Sequence, residues 1–231
     1  FVAPDGHEHV SRWMPKPFSP TFPAGETIVL LGSRAPHKNT VLITGMAERL
    51  ASAGFRLAIV GASNARIFAE AGEAVSSNIL WLGRLSDDEL AALLQNCFCL
   101  AFPSLVEGFG LPALEAMALG CPVVVSDRAS LPEICGDAAL FASPTDADAW
   151  FGRFMELATR PALRRRMIAR GRIAASRFSW AASAGRYLRA MAAMDGVPYD
   201  PSTEPEVQRG KPAASADAST LAPSIDAISR R

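Results

Sequence analysis

The sequence predicts a doubly wound, Rossmann-like α/β fold, in which a parallel sheet carries helices on both faces. Three observations predict it. Short aliphatic runs recur along the chain from Thr27, amphipathic stretches long enough for crossover helices lie between them, and several runs end at a glycine, namely Gly32, Gly61 and Gly83. Strands covered on both faces read as continuous apolar runs rather than alternating ones, which is the pattern here. Strand followed by helix throughout implies right-handed crossovers, with ligands bound beyond the carboxyl ends of the strands.

The elements follow in order. Residues 1–26 carry Pro4, Pro15, Pro17, Pro20 and Pro23 with little hydrophobic period, so they read as a lead-in or interdomain linker. Expected strands are Thr27–Leu31, Arg56–Val60, Asn78–Leu82, Phe98–Phe102, Val123–Ser126 and Ala139–Phe141. Expected helices are Thr40–Ala53, Asn64–Gly72, Asp87–Gln95, Leu111–Leu119 and Ala147–Thr159. Ser86 and Glu89 have the spacing of a capping box at the start of the third of these. Together they make one domain over 27–178. Past Arg160 the chain reads helical to about Met194, with an arginine-rich stretch and then a helix over 179–195 opened by Ser179-Trp180. Residues 196–231 are rich in proline, alanine, serine, threonine and charge, a composition that predicts disorder.

Bulk composition narrows the function classes. With 231 residues, 49% of them apolar, the chain can bury the core of one domain with extensions. The 23 basic residues equal the 23 acidic ones, so no nucleic-acid partner is expected and any anion site must be local. Cys97, Cys99, Cys121 and Cys135 sit in or beside apolar runs without zinc or thioredoxin spacing and read as buried, reduced thiols. No apolar stretch approaches the ~18–20 residues of a membrane span, and no signal pattern opens the chain. These absences predict a cytoplasmic location.

Polar clusters fall in the loops after the strands, on one edge of the sheet. The first is Gly32-Ser33-Arg34-Ala35-Pro36-His37-Lys38-Asn39, two cations and a histidine ahead of a helix N-terminus, which is anion-binding equipment. Gly83-Arg84-Leu85-Ser86 follows the third strand. After the fourth comes Glu107-Gly108-Phe109-Gly110-Leu111-Pro112-Ala113-Leu114-Glu115. Its glycines let the backbone approach a ligand, and Pro112 is tolerated in the first helical turn. Glu107 then lies in the loop and Glu115 on the helix, two carboxylates suited to accept from sugar and ribose hydroxyls.

The segment from about Thr27 to Trp180 resembles the C-terminal, nucleotide-sugar-binding domain of the retaining glycosyltransferases of family 4, or group 1, which have the GT-B fold. The two glutamates separated by seven residues carry the resemblance. Pro36-His37-Lys38-Asn39, Gly120-Cys121-Pro122-Val123-Val124, Leu131-Pro132-Glu133 and Phe178-Ser179-Trp180 support it. The resemblance implies that Lys38 neutralises the donor diphosphate and that Glu115 holds the ribose. It also implies that Glu107, with the backbone of Gly108, Phe109, Gly110 and Leu111, holds the transferred sugar and its phosphate. Gly83 and Arg84 would line the base or phosphate side, and Arg34 would bind donor from one position beyond the family's usual arginine, where Ser33 stands. It implies transfer of a hexosyl group, mannosyl or glucosyl, from a nucleotide diphosphate sugar to a saccharide or lipid-linked acceptor, with retention and with no metal or other cofactor. The family pairs two similar domains, and Val2 to His9 resembles the hinge between them. A non-catalytic nucleotide-sugar module, or a fragment needing a separate N-terminal acceptor-domain chain, is the alternative.

Other features read more plainly. Asp146-Ala147-Asp148 imitates a metal-binding Asp-x-Asp but opens a helix after Pro144, where capping is the better account. His37 suits a turn as well as a phosphate contact, and His7 and His9 fall in the linker. Arg84 is divided between solvent and ligand. Arg164, Arg165, Arg166, Arg170 and Arg172 read as a solvated helix face, with contact to an anionic membrane, peripheral at most, as the alternative. A nicotinamide dehydrogenase, which shares the sheet, is excluded because no G-x-G-x-x-G follows the first strand and no acidic residue ends the second.

Overall fold

The structure is a computed structural model that describes residues 2–17, 23, 25–32, 35–61, 76–196 and 198. Among the described residues six parallel strands form one sheet: β1 (Thr27–Leu31), β2 (Arg56–Val60), β3 (Ile79–Gly83), β4 (Cys99–Phe102), β5 (Val123–Ser126) and β6 (Leu140–Ala142). Their spatial order is β3-β2-β1-β4-β5-β6. This is the Rossmann order, and the doubly wound α/β fold expected from the sequence is observed. The chain runs outward from β1 to β3, returns to the other side of β1, and runs outward again. Loops leaving β1 and β4 therefore diverge and open a crevice at the carboxyl edge.

Side chains alternate across each strand, so the sheet feeds two cores. Ile28, Leu30, Leu57 and Ile59 point into one, with Ile43, Leu50, Trp150 and Phe154. Val29, Ala58, Leu100, Phe102 and Val125 point into the other, with Leu93, Leu114, Met117 and Leu131. Helices α1 (Thr40–Thr44), α2 (Ala47–Ser52) and α6 (Ala147–Thr159) supply the first layer. The second layer comes from α3 (Asp87–Asn96), α4 (Leu111–Ala118) and α5 (Leu131–Cys135). Helix α7 (Pro161–Ala175) reaches both cores, giving Leu163 and Met167 to one and Ala174 and Ala175 to the other. The last helix among the described residues is α8 (Trp180–Asp195).

Helix starts follow the expected chemistry. Ser86 and Glu89 close a capping box on α3, and Asp146 accepts from the Ala149 amide at 2.9 Å, so the Asp-x-Asp sequence is a helix cap. Ser179 caps α8. The helix expected over 40–53 is instead two, broken at Gly45-Met46, where a glycine of poor helical propensity lets the chain re-aim. Helix α5 was not expected as an element, because five residues beginning Leu-Pro carry no readable period. The arginine stretch is more than a solvated face: Arg164 donates to the carbonyls of Cys97 and Phe98, and Arg170 bonds Asp137. All four cysteines are free and buried.

The described part of the proline-rich lead-in is docked on the domain. A 3-10 turn over Glu8–Arg12 lies against the start of α8, and His7 Nδ1 donates to the Phe178 carbonyl at 2.7 Å. The Trp180 amide donates to the Glu8 carboxylate at 2.9 Å. Gly6 passes so close beneath this junction that a Cβ there would sit 2.1 Å from the Trp180 nitrogen, which excludes any side chain. Further along, the Met14 amide donates to Asp88 and the Lys16 amide to the Asp88 carbonyl, tying the same strap to α3. The helix expected at Asn64–Gly72 and residues 199–231 of the expected disordered tail lie outside the described residues.

Candidate functional site

The crevice between β1 and β4 is built from two loops bonded to each other. After β1, the chain makes a 3-10 turn over Pro36–Lys38 and then turns sharply at Asn39, which takes a left-handed backbone with φ 52°. The Asn39 side-chain amide donates to the carbonyls of Pro103 (3.1 Å) and Pro144 (2.8 Å), and the Leu105 amide donates to the His37 carbonyl at 2.7 Å. Asparagine suits both demands, since it tolerates this conformation and carries two N–H donors. The turn after β1 is thus fixed against the loop after β4.

Lys38 and Glu107 meet across that junction. The Lys38 Nζ lies 2.6 Å from Glu107 Oε1, with the side chains 23% and 10% exposed, and 5.2 Å from the centre of the Phe102 ring. An ammonium has three donors, so this bond leaves two for another acceptor. The carbonyls of Glu107 and Phe109 are both turned to the Ser130 hydroxyl, at 3.2 and 2.8 Å. Among the described residues the amides of Gly108, Phe109 and Gly110 have no protein acceptor, which suits the loop to receive an anion. Gly110 caps α4 with φ 98°, and a Cβ there would meet Leu131 Cδ2 at 2.7 Å. Phe109 stands edge-on to Phe178 at 5.6 Å, and open space surrounds the Cα of Gly108.

Glu115 follows one turn into α4. Burial pushes its carboxyl above the ordinary range, while the hydrogen bond from His9 acts against that push; Asp87 adds to it. His9 Nε2 lies 2.8 Å from Glu115 Oε1, and the Trp180 indole donates to His9 Nδ1 at 3.1 Å. Trp13 stands edge-on to the same imidazole at 5.6 Å. Because β3 runs parallel to β1 and β4 in the one sheet, the loop of Gly83 and Arg84 leaves from the same carboxyl edge. Gly83 closes β3 with φ 63°. Arg84 is exposed. Arg34 lies outside the described residues.

Sequence reasoning did not reach three residues here. In the sequence His9 reads as linker, Trp180 as a helix start within a family motif, and Ser130 carries no signal. The partners of His9 are 106 and 171 residues away, and no local pattern carries that information. Asn39 was quoted within a motif but without its bracing role.

Residues 16–174 match the family described as glycosyl transferases group 1, which is more than half of the chain. The chain belongs to this family. Among curated relatives it is 43% identical over 102 residues to the O-antigen chain mannosyltransferase B of Escherichia coli, covering 44% of this chain and 27% of that protein. It is 40% identical over 119 residues to the MMP alpha-(1->4)-mannosyltransferase of Mycolicibacterium hassiacum, covering 50% of this chain and 28% of that one. A longer match, 30% identical over 177 residues, covers 72% of this chain and 39% of the D-inositol 3-phosphate glycosyltransferase of Segniliparus rotundus. The chain therefore matches well under half the length of these family members. Its fold is shared with the sucrose-phosphate synthase of Thermosynechococcus elongatus at TM-score 0.69 and 21% identity, over 85% of this chain and 53% of that one. TarM gives TM-score 0.63 at 17% identity, over 77% of this chain and 36% of TarM. The match covers about half of the first solved chain and about a third of the second, and both share the GT-B arrangement of this domain.

Among the described residues no helix is long and apolar enough to cross a membrane, and no group of three or more histidine, cysteine, aspartate or glutamate side chains is placed to hold a metal ion.

Proposed function

We propose that this chain is the donor-binding half of a retaining hexosyltransferase, acting with an acceptor-binding lobe to move a mannosyl or glucosyl group from a nucleotide diphosphate sugar to a saccharide or lipid-linked acceptor. The observation that carries the reading is the Lys38–Glu107 contact at 2.6 Å across the β1/β4 crevice, beside the unengaged amides of Gly108 to Gly110. Lys38 and those amides supply positive potential to a diphosphate, which is electrostatic stabilisation of a leaving group in a preorganised site. Glu107 accepts from sugar hydroxyls, Glu115 accepts from the ribose, and Gly83 and Arg84 line the base or phosphate side. In the transfer, the bond from the anomeric carbon to the diphosphate breaks as the acceptor oxygen bonds the same face, and the acceptor's proton passes to the departing phosphate oxygen. We assign no metal to this step, because the lysine and the amides supply the charge that a bridging cation would otherwise provide. Of the two sugars, mannosyl is supported by the named mannosyltransferases among the relatives. A cytoplasmic setting, at most peripheral to the inner face of a membrane, fits such donors and acceptors.

The second reading is a nucleotide-sugar-binding module without turnover of its own. It is favoured because Lys38, Glu107 and Glu115 all lie within this one α/β domain, so donor binding needs no second lobe. Calorimetric titration with nucleoside diphosphates, alongside an assay for donor hydrolysis, separates the two. Binding with slow hydrolysis supports the first, and binding without any supports the second. Binding that survives in a folded Glu115→Ala protein would count against this site in either case.

A further inference from the structure

We propose that His9 is a positioning residue for Glu115: the Trp180 indole fixes the imidazole tautomer whose Nε2–H holds one carboxylate oxygen, leaving the other turned to the ligand. The inference rests on the proposed assignment of Glu115 to the ribose.

The tautomer follows from the contacts. An indole nitrogen only donates, so the His9 Nδ1 that it meets at 3.1 Å must accept. The ring proton then sits on Nε2, which faces Glu115 Oε1 at 2.8 Å. A doubly protonated ring would set two donors against each other at Nδ1. Trp180 is itself held, because its backbone amide is bonded to Glu8 and Gly6 passes beneath it with no room for a side chain. Trp13 closes on the imidazole edge-on. Every contact on the ring thus favours one position.

Glu115 needs such a partner. The last torsion of a glutamate is broad, so packing alone does not set the plane of its carboxylate. Engaging Oε1 sets that plane and directs Oε2, which can accept from more than one hydroxyl. The partner also offsets the burial that disfavours the charged form. His9 and Trp180 both lie outside residues 16–174, the segment that the family description matches. A strap that only fastened α8 would require no contact with Glu115.

The test compares ribose recognition with overall affinity. ADP, CDP, GDP and UDP, and the 2′-deoxy form of each, are titrated calorimetrically into the full chain. In the wild type the tightest ribonucleotide is preferred over its deoxy form by about tenfold, the worth of a hydrogen bond to a charged acceptor. In His9→Ala and His9→Asn the preference falls to about threefold or less, because the donor to Glu115 is gone. His9→Gln keeps an N–H in reach and restores it. Trp180→Phe keeps an aromatic ring without the N–H and lowers it. A structural role alone would weaken both nucleotides equally. The wild-type preference persisting in His9→Asn and Trp180→Phe, while Glu115→Ala abolishes it, would overturn this inference and leave the ribose assignment standing. If Glu115→Ala also keeps the preference, or none of the four binds, the assignment itself fails and this inference with it. Nitrogen-15 shifts of the His9 ring in the wild-type protein test the tautomer without any variant, and a proton on Nδ1 refutes the proposal.

Discussion

Replacing Lys38 by methionine removes the ammonium while keeping most of the aliphatic stem. Glu107, only 10% exposed, is left without its partner at 2.6 Å. A fully buried pair broken on one side costs about 3–5 kcal/mol and an exposed one about 0–1 kcal/mol. With Lys38 at 23% exposure the cost here should lie between, at about 1–2 kcal/mol. For a domain of this size that is about 2–8 °C in Tm. The double variant Lys38→Met/Glu107→Gln no longer strands a charge, so it should recover most of the loss. Nucleoside diphosphate binding should fall about tenfold or more in both, since a charge-assisted hydrogen bond is lost in each. Thermal denaturation of the four proteins of this cycle, with calorimetry on the same samples, gives both numbers. A single variant that melts with the wild type, or that binds diphosphate unchanged, would refute the coupling of these loops through one ion pair.

Gly110→Ala places a side chain at φ 98° and 2.7 Å from Leu131 Cδ2, so it should destabilise by about 1–3 kcal/mol and weaken diphosphate binding by tilting the loop; a melting curve checks the first effect. Glu115, whose carboxyl is pushed above its ordinary range mainly by burial, makes the native state bind its proton more tightly than the unfolded chain does. Its contribution is therefore most favourable below the ordinary carboxylate pKa and is lost as pH rises through the raised value. Glu115→Gln should accordingly gain stability relative to the wild type between pH 4 and 7, read from urea midpoints, and an opposite slope would contradict the burial account. The four cysteines are buried, with burial raising Cys97, Cys99 and Cys135, the last to about 12. Thiol-labelling reagents should leave them unmodified in the native protein and modify all four in denaturant.

The parallel strands were legible to within about a residue because each is a run of aliphatic groups buried on both faces, a signal that needs no knowledge of neighbours. Helix caps at Ser86, Asp146 and Ser179 were legible for a similar reason, being local chemistry over three or four residues. Lys38, Glu107 and Glu115 could be placed on one edge from alternation alone, although their contacts could not. The break at Gly45-Met46 and the five residues of α5 fall below the length at which a helical period shows. The docking of the lead-in was hidden for another cause. Its prolines truthfully exclude a long helix, but they say nothing about what the turn at Glu8–Arg12 packs against. That choice is made by Gly6, His7 and Glu8 with Phe178 and Trp180, and the distance between those groups in sequence hides it.

The clasp between the lead-in and α8 bears on the order in which the molecule assembles. On a bare chain, bringing together points 171 residues apart costs about 4–5 kcal/mol in closure entropy. The three hydrogen bonds of His7, Glu8 and His9 with Phe178 and Trp180, one of them to a carboxylate, return about 2.5–6 kcal/mol between them. That at best offsets closure and leaves nothing for ordering the residues of the strap, so the clasp forms once the sheet has carried both partners to the same place. The environment of Glu115 is then the final part of the molecule to be completed and the earliest to fray, and its integrity reports on everything folded before it.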